Sequence, residues 1–247
     1  MYNRDPPCYS ARKHLLCEVS KGRPMSLGLI RAALLSAPFL IAACSKASSE
    51  APAGEAAKPV AGASKFEILP TDMVLGKADA PVTLVEYASV TCPHCAAVAV
   101  QIMPGVKEKF IDTGKVKLVF REFPTAPANF SIIGSLLARC AAEKAGPEAY
   151  FLVTDALFRQ QKAWVSKDAR AELVKIVAQT GMDEAAVDAC VKREDLQKVI
   201  NDNATIALEK YQVSGTPTFF LNGEKLPVKS PEDFEKALAD AVAKAGA

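Results

Sequence analysis

The alternation of apolar and polar residues divides the chain into segments of different period. Residues 82–88 are rich in β-formers and read as a buried strand. Residues 96–110 carry Ala, Gln, Lys and Glu and read as a helix, which Pro104 is expected to kink and Gly114 to close. A further strand is predicted over 116–123, ended by Pro124. Residues 126–205 then read as helices. Ile132, Ile133, Leu136, Leu137 and Cys140 share one face, and further helices are expected over 149–161 and 168–180, the latter stopped by Gly181. Asp183 reads as the N-cap of the next helix, with Val187, Cys190 and Val191 on its apolar side. Strand character returns over 213–221, and Asn222-Gly223 reads as a hairpin turn into 225–228. Ser230-Pro231-Glu232-Asp233 reads as the cap and first turn of a closing helix. Upstream, 66–69 reads as an edge strand and 76–81 as a turn into the central strand.

The N-terminal quarter has a different character. Residues 1–24 show no apolar period, and Cys8 and Cys17 within them form no recognisable site. From Met25, a candidate true start, a short basic stretch leads into an apolar run over 32–43, interrupted by Ser36 and Pro38. That run is shorter than the roughly 20 residues a spanning helix needs and reads as a signal peptide. Residues 45–64 are Ala, Pro, Ser, Gly, Glu and Lys, too polar and small to build a core, and read as a flexible tether.

Composition sharpens this division. At 247 residues, 50% hydrophobic and 23% charged, the chain has the length and make-up of one or two globular domains. The net charge of +2 is unevenly spread: residues 1–44 hold 6 Lys/Arg against 2 Asp/Glu, and the remainder 24 against 26. A near-neutral body argues against a nucleic-acid partner, which requires a basic face on the folded domain.

Chemistry concentrates at Cys92-Pro93-His94-Cys95, between the strand and the helix. Strand, C-x-x-C, helix is the context in which this spacing signals redox chemistry. Cys92 at the helix start faces unpaired backbone N–H groups and the positive end of the helix dipole, both of which favour its thiolate. Cys95, one turn further in, is expected to be more buried and to act as the resolving thiol. Pro93 suits the first helical turn, and His94 adds a donor beside the sulfur. Zinc is the competing chemistry for a C-x-x-C. A structural zinc site needs four ligands, yet there is no second C-x-x-C, and the other histidine, His14, lies outside the expected folded part. Neither metal nor cofactor is therefore expected.

The motif resembles the active site of the DsbA-like thiol:disulfide oxidoreductases of the thioredoxin superfamily. The resemblance implies an α/β, thioredoxin-like fold over 66–125 and 206–247, with an inserted helical domain over 126–205. It implies that Glu86, six residues before Cys92, relays a proton beneath the site, where a solvent-facing strand carboxylate is the alternative. Gly215-Thr216-Pro217 matches the family's cis-proline loop, with the backbone of Thr216 offered to an extended substrate segment. Cys140 and Cys190 correspond to a second bridge found in some members, worth up to about 4 kcal/mol by loop closure; two buried thiols are the alternative. Ile41-Ala42-Ala43-Cys44 resembles a bacterial lipobox, which implies lipidation of Cys44 and tethering at a membrane in the periplasm, against simple cleavage near Ala43. The resemblance implies donation of the Cys92–Cys95 disulfide to exported proteins with free cysteines, and recharging by a DsbB-type quinone-coupled membrane oxidase. An isomerase or reductase, or a tethered binding module without turnover, are the competing functions.

Overall fold

In the computed structural model, residues 66–246 are described. Two short strands and two longer ones surround a core strand in the order β1 (Met73–Leu75), β3 (Val116–Glu122), β2 (Val82–Ala88), β4 (Thr218–Leu221) and β5 (Glu224–Leu226). β2 runs parallel to β3 and antiparallel to β4, so it is hydrogen-bonded on both sides, and all its residues are buried. Period-two alternation divides its side chains between the sheet faces. Val82 and Leu84 pack with Val98, Val106, Phe219, Phe234 and Leu238, whereas Val85 and Tyr87 pack with Phe66, Val119, Ala207 and Phe220. The two edge strands are each three residues long, which limits the unpaired backbone a sheet offers to other chains.

The link from β2 to β3 is the helical run carrying the C-x-x-C. It is divided into three where one helix over 96–110, kinked at Pro104, was expected. α1 (Pro93–Gln101) ends at Ile102, α2 (Met103–Val106) restarts with Pro104 in its first turn, and a π-helical turn over Lys107–Ile111 follows. A proline at 104 removes the N–H that would bond one turn back, which separates the helices there. Gly114, at φ +76°, closes the run.

The segment 66–69, expected as an edge strand, forms none, and β1 lies at 73–75 instead. Its backbone groups are claimed by side chains: Leu69 N–H donates to Asp72 Oδ2 (2.7 Å), and Glu67 C=O accepts from Arg121 Nη2 (2.6 Å). Phe66 contributes its ring, stacked on Tyr211 with centroids 3.9 Å apart.

Between β3 and β4 lie α3 (Ala128–Ala145), α4 (Pro147–Arg159), α5 (Gln161–Trp164), α6 (Ala169–Ala178), α7 (Glu184–Cys190) and α8 (Glu194–Glu209). Asp183 caps α7 by accepting from Ala186 N–H (2.8 Å). α8 continues past residue 205, because its last turns still have a surface to cover: Ala207 is buried beside Tyr87 and Phe220. α9 (Pro231–Lys244) closes the chain, with Ser230 Oγ accepting from Asp233 N–H (3.1 Å). The β4–β5 turn puts Asn222 (φ +49°) and Gly223 (φ +90°) in the left-handed region that a tight hairpin turn requires. Cys140 on α3 and Cys190 on α7 are joined by a disulfide (S–S 2.03 Å, Cα–Cα 6.2 Å).

Two buried ion-pair networks tie the sheet to its surroundings. Arg121 on β3 donates to both carboxyl oxygens of Asp72 (2.8 and 2.7 Å) and to the Tyr87 hydroxyl (2.9 Å). Glu122, next along, accepts from Arg139 (2.7 Å twice), Tyr150 (2.8 Å) and Asn203 (2.7 Å), contributed by α3, α4 and α8. Removing one partner of such a pair strands a charge without water. Arg121→Met is therefore expected to lower stability by roughly 3–5 kcal/mol, read as the shift in a urea unfolding curve. A loss under about 1 kcal/mol would mean that the pair behaves as a solvated one.

Candidate active site

Cys92 is the N-cap residue of α1, with extended backbone (φ −77°, ψ 122°) and Pro93 in the first helical position. Its carbonyl accepts the first helical bond from Ala96 N–H (3.1 Å), and its own N–H donates to Ser89 C=O (3.0 Å). The side chain is more enclosed than a sulfur at a helix start suggests: Cys92 is 8% exposed and Cys95 0%, whereas Pro93 and His94 are exposed. The loop before β4 supplies this cover. Cys92 Sγ lies 3.3 Å from the carbonyl oxygen of Thr216, and the Thr216–Pro217 bond is cis. Thr216 and Pro217 are half-buried beside the sulfur.

The two thiols have opposite acidities. Cys92 is lowered to about 5 because the Cys95 thiol donates a hydrogen bond to its sulfur; burial opposes this, and the Thr216 side chain and the backbone N–H groups of Cys95 and His94 assist it. Cys95 is raised above the ordinary thiol value, first by burial and then by that same hydrogen bond and the negative charge of Glu86. The reduced pair is therefore one thiolate and one thiol, with the charge on the outer sulfur.

Glu86 lies beneath the site. Alternation along β2 puts it on the face of Val82 and Leu84, the side on which α1 packs, and its cross-strand neighbours are Phe120 and Phe219. At 3% exposure between aromatic neighbours, its carboxyl is pushed up to about 8 by burial alone. The solvent-facing alternative for Glu86 does not hold.

Several groups around the site carry no short-range sequence signal. Ser89 Oγ is bonded to Thr91 Oγ1 (3.0 Å) and Ser131 Oγ (2.8 Å), and accepts from Thr125 N–H (3.3 Å). Gln161 Nε2 donates to Val90 C=O (2.8 Å) and Cys92 C=O (3.1 Å). The Ala126–Pro127 bond is also cis. At Gly134 a Cβ would meet Val90 Cγ2 at 2.9 Å, so α3 approaches the active-site loop closely only because that residue has no side chain. The disulfide partners Cys140 and Cys190 belong to the same apolar cluster as Cys92 and Cys95. Cys44 and the segment before residue 66 lie outside the described residues. Among the described residues, no group of His, Cys, Asp and Glu is arranged to hold a metal ion, and no helix is long and apolar enough to cross a membrane.

The sequence model of the thioredoxin family matches residues 69–240. A Rickettsia bellii protein, named among the protein-disulfide oxidoreductases, is 32% identical over 178 residues, which cover 72% of this chain and 67% of that one. The match to the Rickettsia prowazekii relative spans 64% of that protein's length. Among solved structures, Wolbachia pipientis alpha-DsbA1 is similar at 28% identity and a TM-score of 0.65, over 72% of this chain and 94% of that one. Oxidised BdbD of Bacillus subtilis shares the fold at 21% identity and a TM-score of 0.62, over 70% and 93% of the two chains.

Two titrations follow from the site. Thiolate absorbance of the reduced protein should show Cys92 ionising near pH 5, a signal that Cys92→Ser abolishes. Glu86, near 4.5 when unfolded and about 8 when folded, takes up a proton on folding between those values. Its neutral form is thus tolerated fully below pH 4.5, and stability is lost as pH rises towards 8. Glu86→Gln removes that slope and should stabilise the protein, by on the order of 3 kcal/mol at pH 7. Parallel stability–pH curves for the two proteins would contradict this.

Proposed function

The chain belongs to the thioredoxin family, in its DsbA-like branch of protein-disulfide oxidoreductases, and on that premise we propose that it is a disulfide donor of the bacterial cell envelope. It passes the Cys92–Cys95 disulfide to exported proteins through a mixed disulfide at Cys92. The observation that carries this reading is the placement of Cys92 at the start of α1, its sulfur 3.3 Å from the Thr216 carbonyl beside cis-Pro217 and Cys95 buried one turn further in, which sets the acidities of the two thiols apart.

The chemistry runs in two displacements. A substrate thiolate attacks Cys92 Sγ, the Cys92–Cys95 bond breaks, and Cys95 departs with the electron pair. Because Cys95 is a weak acid, its sulfur takes a proton at once. Glu86, largely neutral at pH 7 and electrostatically coupled to Cys95, is the buried group suited to give that proton. A second substrate thiolate then attacks the substrate sulfur of the mixed disulfide and releases Cys92 as a thiolate. The substrate dithiol is oxidised and the enzyme pair reduced, with two electrons transferred. The stability of the released thiolate favours donation, since whatever stabilises the reduced form makes the disulfide the stronger oxidant.

The half-buried Thr216 backbone beside Pro217 is the place where an extended substrate segment pairs next to Cys92. Recharging falls to a DsbB-type quinone-coupled membrane oxidase. The segment 45–65 serves as a tether from a lipidated Cys44, which would hold the domain at a membrane facing the periplasm.

A redox titration against glutathione tests direction. A potential as low as thioredoxin's, about −270 mV, would place the protein among reductases instead. Cys95→Ser leaves the nucleophile without its resolving thiol and should accumulate mixed disulfides with exported proteins, identifiable by mass spectrometry after trapping in the native envelope. Absence of trapped partners, with the fold intact, would favour a binding role without turnover.

A further inference from the structure

Residues 89–92 leave β2 and deliver the nucleophile to the start of α1, and this loop is held from two sides. On one side the Ser89 hydroxyl accepts from Thr91 N–H (3.4 Å) and Thr125 N–H (3.3 Å), which anchors the loop to the segment after β3. The Ser131 hydroxyl of α3 also meets Ser89 Oγ (2.8 Å), and on the other side, nearer the nucleophile, a longer side chain from the inserted helices reaches across. Gln161 Nε2 donates to Val90 C=O and Cys92 C=O, two carbonyls that flank Thr91. The Gln161 backbone is itself firmly placed. Three residues on, Trp164 is fully buried, donates from Nε1 to Leu157 C=O (2.7 Å), and packs against Phe130 and the gap left by Gly134. Val90 fills the same gap.

The amide therefore spans the boundary between the helical insert and the sheet, at the residue that carries the reacting sulfur. Its two N–H dipoles point their positive ends at the carbonyls of the loop. Any movement of the insert relative to the sheet is transmitted through this fork to Cys92, whose sulfur must stay within reach of Thr216 and of the Cys95 thiol.

Resting on the oxidoreductase reading above, we propose that Gln161 is a positioning residue for Cys92, through which the helical insert sets the redox poise of the Cys92–Cys95 pair. It touches no substrate and exchanges no proton. Its contribution is to hold the nucleophile's backbone in the one place where the thiolate's hydrogen-bond donors converge.

The test uses Gln161→Met, which keeps length and removes both donors, and Gln161→Glu, which keeps shape and turns an oxygen towards the carbonyls. Each is measured for Cys92 ionisation by thiolate absorbance, for the equilibrium constant with glutathione, and for unfolding in the oxidised state. Ser230→Ala is the control, because it loosens the fold by removing the cap of α9, an element outside the insert, and leaves the residues of the fork and their anchor unchanged. Both Gln161 variants should raise the Cys92 pKa and shift the glutathione equilibrium roughly three- to tenfold towards the disulfide, the scale of one lost hydrogen bond. Ser230→Ala should lower the unfolding midpoint and leave both redox readouts in place. Unchanged ionisation and equilibrium in the Gln161 variants would overturn the proposal, whatever happens to stability. So would an equal redox shift in Ser230→Ala, since poise would then follow general loosening. If the unaltered protein itself ionises Cys92 like a free thiol, the oxidoreductase reading fails first, and that outcome is separate.

Discussion

One hydrogen, donated by the Cys95 thiol to the Cys92 sulfur, sets the character of the site. It stabilises the anion on the outer sulfur and is the largest cause of the low pKa of Cys92. The same bond raises Cys95, because losing the proton would place two negative sulfurs side by side in a buried pocket. Backbone N–H groups at the helix start reinforce the effect at Cys92, but they act only because α1 begins at that residue. Everything else around the pair serves to keep the two sulfurs one helical turn apart and dry.

That dryness comes from three directions. β2 brings Glu86 up from below, and its aromatic cross-strand neighbours make an ionised carboxylate costly there. The cis-proline loop before β4 covers Cys92 with the Thr216 carbonyl. The insert closes the remaining side, and its apolar cluster is continuous with Val90, Cys92 and Cys95. Holding an insert against a sheet this way requires strong local anchors. The Glu122 network, drawing donors from three helices onto the last residue of β3, is one, and the Gln161 fork is another.

Particular elements show where local pattern was sufficient. β2 matches its expected bounds because seven buried residues of high β-propensity admit few alternatives. The Asp183 and Ser230 caps, the Gly114 and Gly181 stops and the Asn222-Gly223 turn follow from conformational preferences of single residues, which act over a few positions. The segment at 66–69 misled, because β-propensity there is outweighed by side chains far along the chain: Arg121 claims a carbonyl that a ladder would have used. The division of the helix at Ile102 was foreshadowed by Pro104, but the π-helical turn after it was not.

The sequence by itself determined the motif, its strand–helix setting, the order of elements and the thiolate-favouring position of Cys92. All of these rest on spacing and local backbone preference, which are properties of neighbouring residues. Tertiary structure alone decided that Glu86 faces inward, that Cys92 is covered by Thr216, that Arg121 pairs with Asp72 and that Gln161 reaches the active-site loop. Each of these joins residues tens of positions apart through burial or a shared hydrogen bond. Such contacts depend on how the chain closes on itself, which no local period encodes.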